Sequence, residues 1–107
     1  MTSQAQHTQK VNFSRIGSHA LANSESIVRQ WLPDGCREGS EWTALNPRRS
    51  DRRRGSFRIN LITGRWGDFA AGASGGDLIS LGAYLADITQ VEAARRVASM
   101  LGVDPHG

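Results

Sequence analysis

Arginines are concentrated in one stretch of this 107-residue chain, between positions 48 and 65. The stretch holds seven arginines and one acid, Asp51, so it carries a charge of +6, whereas the whole chain carries +3. A guanidinium holds a phosphate through two parallel hydrogen bonds, and a local positive block is typical of a surface that binds a nucleic-acid backbone. The alternative is a solvated basic loop. The predicted phosphate-binding residues are Arg48, Arg49, Arg52, Arg53, Arg54, Arg58 and Arg65.

Aromatic residues are interleaved with these arginines and could contact bases. Single strands are bound where rings stack on bases while cationic side chains contact the backbone. Trp42 and Trp66 are the predicted stacking residues, because a thin sheet cannot bury both of its faces well. The alternative is that both rings, together with Phe57 and Phe69, simply fill the core of a small sheet.

Other reactive side chains do not form a convincing catalytic or metal site. Asp68 and Asp77 are the only plausible pair for Mg²⁺, and sites for hard cations usually gather more oxygen ligands. The glycine-rich stretch 72–76 lacks the lysine of a phosphate-binding loop, and a tight turn capped by Asp77 accounts for it. Cys36 is the single cysteine, and the three histidines are isolated. We therefore predict no catalytic residue, no metal and no cofactor.

The apolar spacing predicts helices around a small sheet. Apolar residues recur at helical spacing from Asn12 to Leu32, and Asn23 and Ser24 favour a break within that span. Two further helices are expected to begin at Asp77 and Thr89. Alternating or β-prone residues predict three strands, at 41–45, 56–61 and 65–69.

This order of elements predicts an α+β domain with a three-stranded antiparallel sheet, one N-terminal helix and two C-terminal helices. Its length suits a single domain, which we assign to residues 12–102. Residues 1–11 are polar and predicted to be a disordered tail, and 103–107 to be a tail or the start of a linker. Without a signal peptide or a long apolar run, the expected location is the cytoplasm.

The order of motifs resembles the zinc-ribbon domain at the N-terminus of bacterial and phage DNA primases and primase-helicases. That domain has a strand ending in Cys-Pro-x-His, a basic loop and a Pro-Ser-Phe strand. A hairpin with Cys-x-x-Cys follows, then Gly-Gly-Asp at the start of a helix, and a later helix with a Glu-Ala-Ala-like start. The matching stretches here are 45–49, 55–59, 66–69, 75–79 and 91–94.

The sequence departs from that family at every zinc ligand. Asn46 stands in place of the first cysteine and Arg49 in place of the histidine, and residues 68–72 contain no cysteine. A structural zinc site closes with four Cys or His ligands, so the resemblance implies a zinc-ribbon-like fold without its metal. We expect aromatic packing by Trp42, Trp66 and Phe69 to take over the role of the metal.

The resemblance also implies a function. In primases this module contacts the single-stranded template and does not polymerise. We therefore expect a non-catalytic module that binds single-stranded DNA in the replication of a phage, plasmid or mobile element. The alternative is a protein–protein adaptor in which residues 77–101 and the N-terminal helix dock on a helicase or primase partner. A third interpretation is a fragment of a larger primase-helicase.

Overall fold

Four helices and five strands are formed by residues 10–49 and 55–107, which are the residues that the computed structural model describes. The predicted α+β class is confirmed. In chain order the elements are α1 (Phe13–Ala22), α2 (Ser24–Trp31), β1 (Cys36–Glu38), β2 (Glu41–Ala44), β3 (Phe57–Asn60), β4 (Trp66–Asp68), β5 (Ala73–Gly75), α3 (Leu78–Ala86) and α4 (Gln90–Leu101).

The sheet is an antiparallel meander in which each strand pairs with the next, in the order β1-β2-β3-β4-β5. Ile59 lies between Trp42 and Trp66 in the register, and all three side chains are buried. Because successive side chains point to opposite faces, Arg58 lies on the other face, between Thr43 and Gly67. The sheet therefore has an apolar inner face and a more polar outer face.

The prediction of three strands is wrong, because two short edge strands extend the sheet. β1 has the sequence Cys-Arg-Glu and β5 has the sequence Ala-Ser-Gly, so neither carries the alternating large apolar residues that mark a strand. Both strands are formed through their pairing with β2 and β4, which are themselves anchored by buried tryptophans. Pairing with a neighbouring strand therefore outweighs the low intrinsic β-propensity of such short segments.

The single N-terminal helix of the prediction is two helices, and the break lies at the predicted place. Asn23 ends α1, where its backbone N–H donates to Ala20 and Leu21 and its side chain donates to the carbonyl of His19 at 2.8 Å. Ser24 begins α2 and donates its hydroxyl to the carbonyl of Leu61 at 2.8 Å. This buried bond ties the start of α2 to the turn between β3 and β4.

The end of the chain packs against the start of α1. The Asn12 N–H donates to the carbonyl of Pro105 at 2.8 Å, and the Asn12 side-chain amide donates to the carbonyl of Gly107 at 3.0 Å. Val103 also packs against the core, so the predicted tail 103–107 makes defined contacts. Of the predicted N-terminal tail, residues 1–9 lie outside the described part of the chain. None of the described helices is long and apolar enough to cross a membrane.

Candidate nucleic-acid interface

Arg48 and Arg49 follow β2 at one end of the sheet. The Arg48 guanidinium lies over the Tyr84 ring, 5.0 Å from its centroid, and Nη1 donates to the carbonyl of Tyr84 at 3.0 Å. Its Nη2 lies 3.8 Å from a carboxylate oxygen of Asp87, which is exposed to solvent. These contacts use part of the five donors of the guanidinium, and the side chain remains 39% exposed.

Beside Arg48, a polar cluster joins the ends of β2 and β4. We call it the Asp68 cluster, and it consists of buried Asn46 and Asp68, half-buried Tyr84 and exposed Arg49. The Asn46 side-chain amide donates to Asp68 Oδ2 at 2.7 Å and to the Tyr84 hydroxyl at 2.8 Å. Nη1 of Arg49 lies 3.5 Å from the same Oδ2. The Asp68 side chain is completely buried, so its charge is balanced by protein groups alone.

The backbone of the turn that follows β4 also donates to Asp68. Its Oδ1 accepts from the N–H groups of Ala70 at 3.0 Å and Ala71 at 3.3 Å. Burial alone raises the pKa of Asp68, but hydrogen bonds from Asn46, Ser56, Ala71 and Ala70 outweigh burial and hold the pKa below its ordinary value. Asp68 therefore remains a carboxylate, and its hydrogen bonds join a residue after β2, the residue before β3 and the turn after β4.

Three of the four members of this cluster, all except Tyr84, occupy positions at which the primase resemblance places zinc ligands. Asn46 and Arg49 stand for the first cysteine and the histidine, and Asp68 lies at the start of the stretch that matches Cys-x-x-Cys. The structure thus brings these positions together through hydrogen bonds and one ion pair. Within residues 10–49 and 55–107, no three His, Cys, Asp or Glu side chains are grouped so that they could hold a metal ion.

The other aspartate of the suggested Mg²⁺ pair has a structural role. Asp77 caps α3: its carboxylate accepts from the Ser80 N–H at 2.8 Å, and the Ser80 hydroxyl lies near the Asp77 N–H in a capping box. Asp68 is bound within its own cluster. Both carboxylates are therefore accounted for by the fold.

The two predicted stacking tryptophans are buried, so the prediction that Trp42 and Trp66 stack on bases is wrong. Their exposures are 2% and 6%, because the register places both rings on the inner face, under the helices. Trp42 Nε1 donates to the carbonyl of Leu32 at 3.1 Å, and Trp66 Nε1 donates to the Ser80 hydroxyl at 2.9 Å. The alternative interpretation, that the rings form the core, is confirmed for Trp42, Trp66 and Phe57 but not for Phe69, which is exposed.

Arg58 lies among acids on the outer face of the sheet. Its Nη1 donates to Glu41 at 3.0 Å and lies 4.0 Å from Glu38, while its Nε donates to the carbonyl of Gly55 at 2.9 Å. One guanidinium thus faces two carboxylates, so this face does not extend the positive charge of the arginine stretch. The structure argues against Arg58 as a phosphate-binding residue.

Arg65 lies at the opposite end of the sheet from Arg48 and Arg49. Its carbonyl accepts from the Asn60 N–H at 2.7 Å, at the end of β3 that is remote from Phe57. A strand of this length separates the two ends by about 10 Å. The structure therefore brings together only Arg48 and Arg49 of the predicted residues that it describes; Arg52, Arg53 and Arg54 lie outside the described residues.

Of the three aromatic residues expected to take over the role of the metal, two lie in the core and one does not. Trp42 and Trp66 are packed in the core, and the Phe57 and Trp66 rings meet edge to face with centroids 6.2 Å apart. Phe69, however, is 85% exposed and packs little against the fold. The sequence analysis missed both this exposure and the Asp68 cluster. Strand alternation could have indicated this exposure. Trp66 and Asp68 share the inner face, so the next residue, Phe69, falls on the opposite side.

Comparison with known proteins links this fold to a primase. No protein-family model matches the chain, and no curated protein matches it. Its fold is similar to a crystal structure of the Aquifex aeolicus primase that contains the zinc binding and RNA polymerase domains, with a TM-score of 0.72 and 20% identity. The chain has the fold of part of that primase. The match covers 89% of this chain and 22% of that one, so the predicted primase-like fold is confirmed.

Proposed function

We propose that this chain is a non-catalytic module that binds single-stranded DNA and acts with a primase or helicase in the replication of a phage, plasmid or mobile element. The observation that carries this proposal is the part of the arginine stretch at residues 48–54, whose five arginines and one acid give a charge of +4 on a primase-like fold. A block of arginines next to a small sheet provides the backbone-binding part of a single-strand site. Primer synthesis itself is assigned to other domains.

The arrangement of the strands supports a single binding surface at one end of the sheet. Ala44 pairs with Phe57, so the chain leaves the sheet at Leu45 and returns at Ser56 at the same end. Arg48 and Arg49 lie on the outgoing side, and the sequence between the two sides adds Arg52, Arg53 and Arg54. We call residues 48–54 the arginine segment. It contains five arginines and one acid, so the phosphates of a strand would meet a strongly positive surface.

The proposal is tested by titrating the chain into a fluorescent oligonucleotide of about 12 nucleotides and following its anisotropy. We expect binding at about 50 mM salt that weakens at about 200 mM, because each neutralised phosphate of a single strand contributes about 0.7 to the salt slope. A duplex of the same sequence serves as the comparison ligand. Absence of binding at both salt concentrations, or binding without a salt slope, would refute the proposal.

An apolar groove supports a second candidate function, the protein–protein adaptor. It lies between α2, α3 and α4, has a volume of about 310 Å³ and is lined by residues that include Trp31, Pro47, Leu85, Val97 and Met100. A partner helicase or primase would place apolar side chains in the groove, and an acidic surface of that partner would face the arginine segment. The adaptor and the DNA-binding module differ in what the arginines contact.

A further inference from the structure

Phe69 is the most exposed large apolar side chain in the described ranges 10–49 and 55–107. Its exposure is 85%, compared with 66% for Ile62 and 40% or less for the other exposed large apolar residues. Single exposed apolar side chains are ordinary, so exposure alone assigns no role. The position of Phe69 in the fold is what distinguishes it.

The ring lies at the same end of the sheet as Arg48 and Arg49. The Phe69 N–H donates to the carbonyl of Ser56 at 3.1 Å, one residue after the described chain resumes at Gly55. The preceding residue, Asp68, is the carboxylate that Arg49 approaches at 3.5 Å. Phe69 is therefore an exposed aromatic ring at the end of the sheet where Arg49 lies, whereas the two tryptophans are buried.

The turn that carries Phe69 is held firmly and leaves the ring uncovered. Asp68 accepts hydrogen bonds from Ala70 and Ala71 through Oδ1, and its carbonyl accepts from Ala71 at 3.2 Å and Gly72 at 2.9 Å. The residues that follow the ring are Ala-Ala-Gly, which have no bulky side chain to shield it. A ring on a preorganised turn loses little conformational freedom when a ligand binds.

We propose that Phe69 is a base-stacking residue of this site, which makes its ligand a single strand with unpaired bases rather than any polyanion. This inference rests on the proposed function. Arg48 and Arg49 would hold the phosphates, and the ring would stack on the face of one base; stacking of this kind accepts any base. The paired bases of a duplex do not offer such a face, so the ring also favours single strands over duplex.

The test compares Phe69→Ala with the unmodified chain on two labelled strands of equal length, an ordinary oligonucleotide and an abasic one that keeps every phosphate. We expect the unmodified chain to bind the ordinary strand about tenfold more tightly than the abasic strand, as one stacked base would require. Phe69→Ala is expected to bind both strands equally and to keep the salt slope. Phe69→Trp should retain the preference for the ordinary strand.

Ile62→Ala is the matched control, because Ile62 is also exposed and apolar but lies in the turn at the other end of β3. It should leave both affinities unchanged. Because the Phe69 ring is largely exposed, Phe69→Ala should keep the urea midpoint of the unmodified chain; if it does not, Phe69→Leu gives the same comparison. If Phe69→Ala retains the preference for bases, the inference is overturned while salt-dependent binding preserves the proposed function. If the unmodified chain binds neither strand, both fail.

Discussion

Asp68→Asn is expected to lower the free energy of unfolding by about 1 to 3 kcal/mol, the range found when a buried hydrogen-bonding group loses its partner. The substitution keeps the shape of the side chain but replaces a carboxylate oxygen by an amide donor. That donor would face the Asn46 amide and the Arg49 guanidinium, which are themselves donors. The end of β2 and the turn after β4 would lose the acceptor that joins them.

The measurement is urea unfolding followed by tryptophan fluorescence, with Asp87→Asn as the matched control. Asp87 is 84% exposed, so the same chemical change there should alter stability by less than about 0.5 kcal/mol. Asn also tolerates the left-handed backbone that Asp87 adopts at the end of α3. If Asp68→Asn were as stable as Asp87→Asn, the Asp68 cluster could not be what holds this end of the sheet together.

Lowering the pH should remove the contribution of the Asp68 carboxylate to the stability of the unmodified chain. The folded pKa of Asp68 is lowered, so its contribution is fully present above the unfolded pKa, about 3.9, and is lost as the pH falls through the folded value. The difference in urea midpoint between the unmodified chain and Asp68→Asn should therefore narrow on acidification. The pKa of Glu25 is also lowered, chiefly by the hydrogen bond from Arg29, so Asp68→Asn keeps part of the acid sensitivity.

Replacing Arg52, Arg53 and Arg54 together by glutamine is expected to weaken oligonucleotide binding by about tenfold or more at low salt and to reduce the salt slope by about two. The reason is that three cations no longer release counterions from phosphates when the strand binds. The anisotropy titration described above measures both quantities. The urea midpoint of this variant should match that of the unmodified chain, because glutamine keeps much of the length and polarity of arginine.

The matched control removes the same charge elsewhere in the chain. It replaces three exposed arginines of α1 and α4 by glutamine, namely Arg15, Arg95 and Arg96. We expect this variant to keep the salt slope of the unmodified chain. Equal losses in the two triple variants would mean that only net charge matters. If the variant of residues 52–54 kept its oligonucleotide affinity but lost a complex with a helicase or primase, the adaptor function would replace the DNA-binding one.

Signals that lie within a few residues of each other were sufficient to predict much of the fold. The hairpin of β3 and β4 follows from alternation and a Gly-containing turn, and both C-terminal helices begin at their predicted caps. At the start of α4, the Thr89 hydroxyl accepts from the Glu92 N–H at 3.1 Å, as the capping signature requires. Gly102 ends that helix in a left-handed conformation.

Features that depend on distant partners could not be predicted in this way. Asn46 and Asp68 are 22 positions apart and Asn46 and Tyr84 are 38 apart, so no local pattern shows that they meet. The burial of Trp42 depends on the register between β2 and β3, which the sequence analysis did not assign. With that register, the two tryptophans fall on one face and cannot stack on bases, and the exposed ring is Phe69.

The most direct test of the central claim is to map where a short single-stranded oligonucleotide changes the amide chemical shifts of the ¹⁵N-labelled chain. The proposal predicts that the largest changes fall at Arg48, Arg49, Ser56 and Phe69 and within residues 50–54, and that they diminish as salt is added. Changes centred on the groove residues Trp31, Leu85 and Met100, or no changes at all, would contradict it.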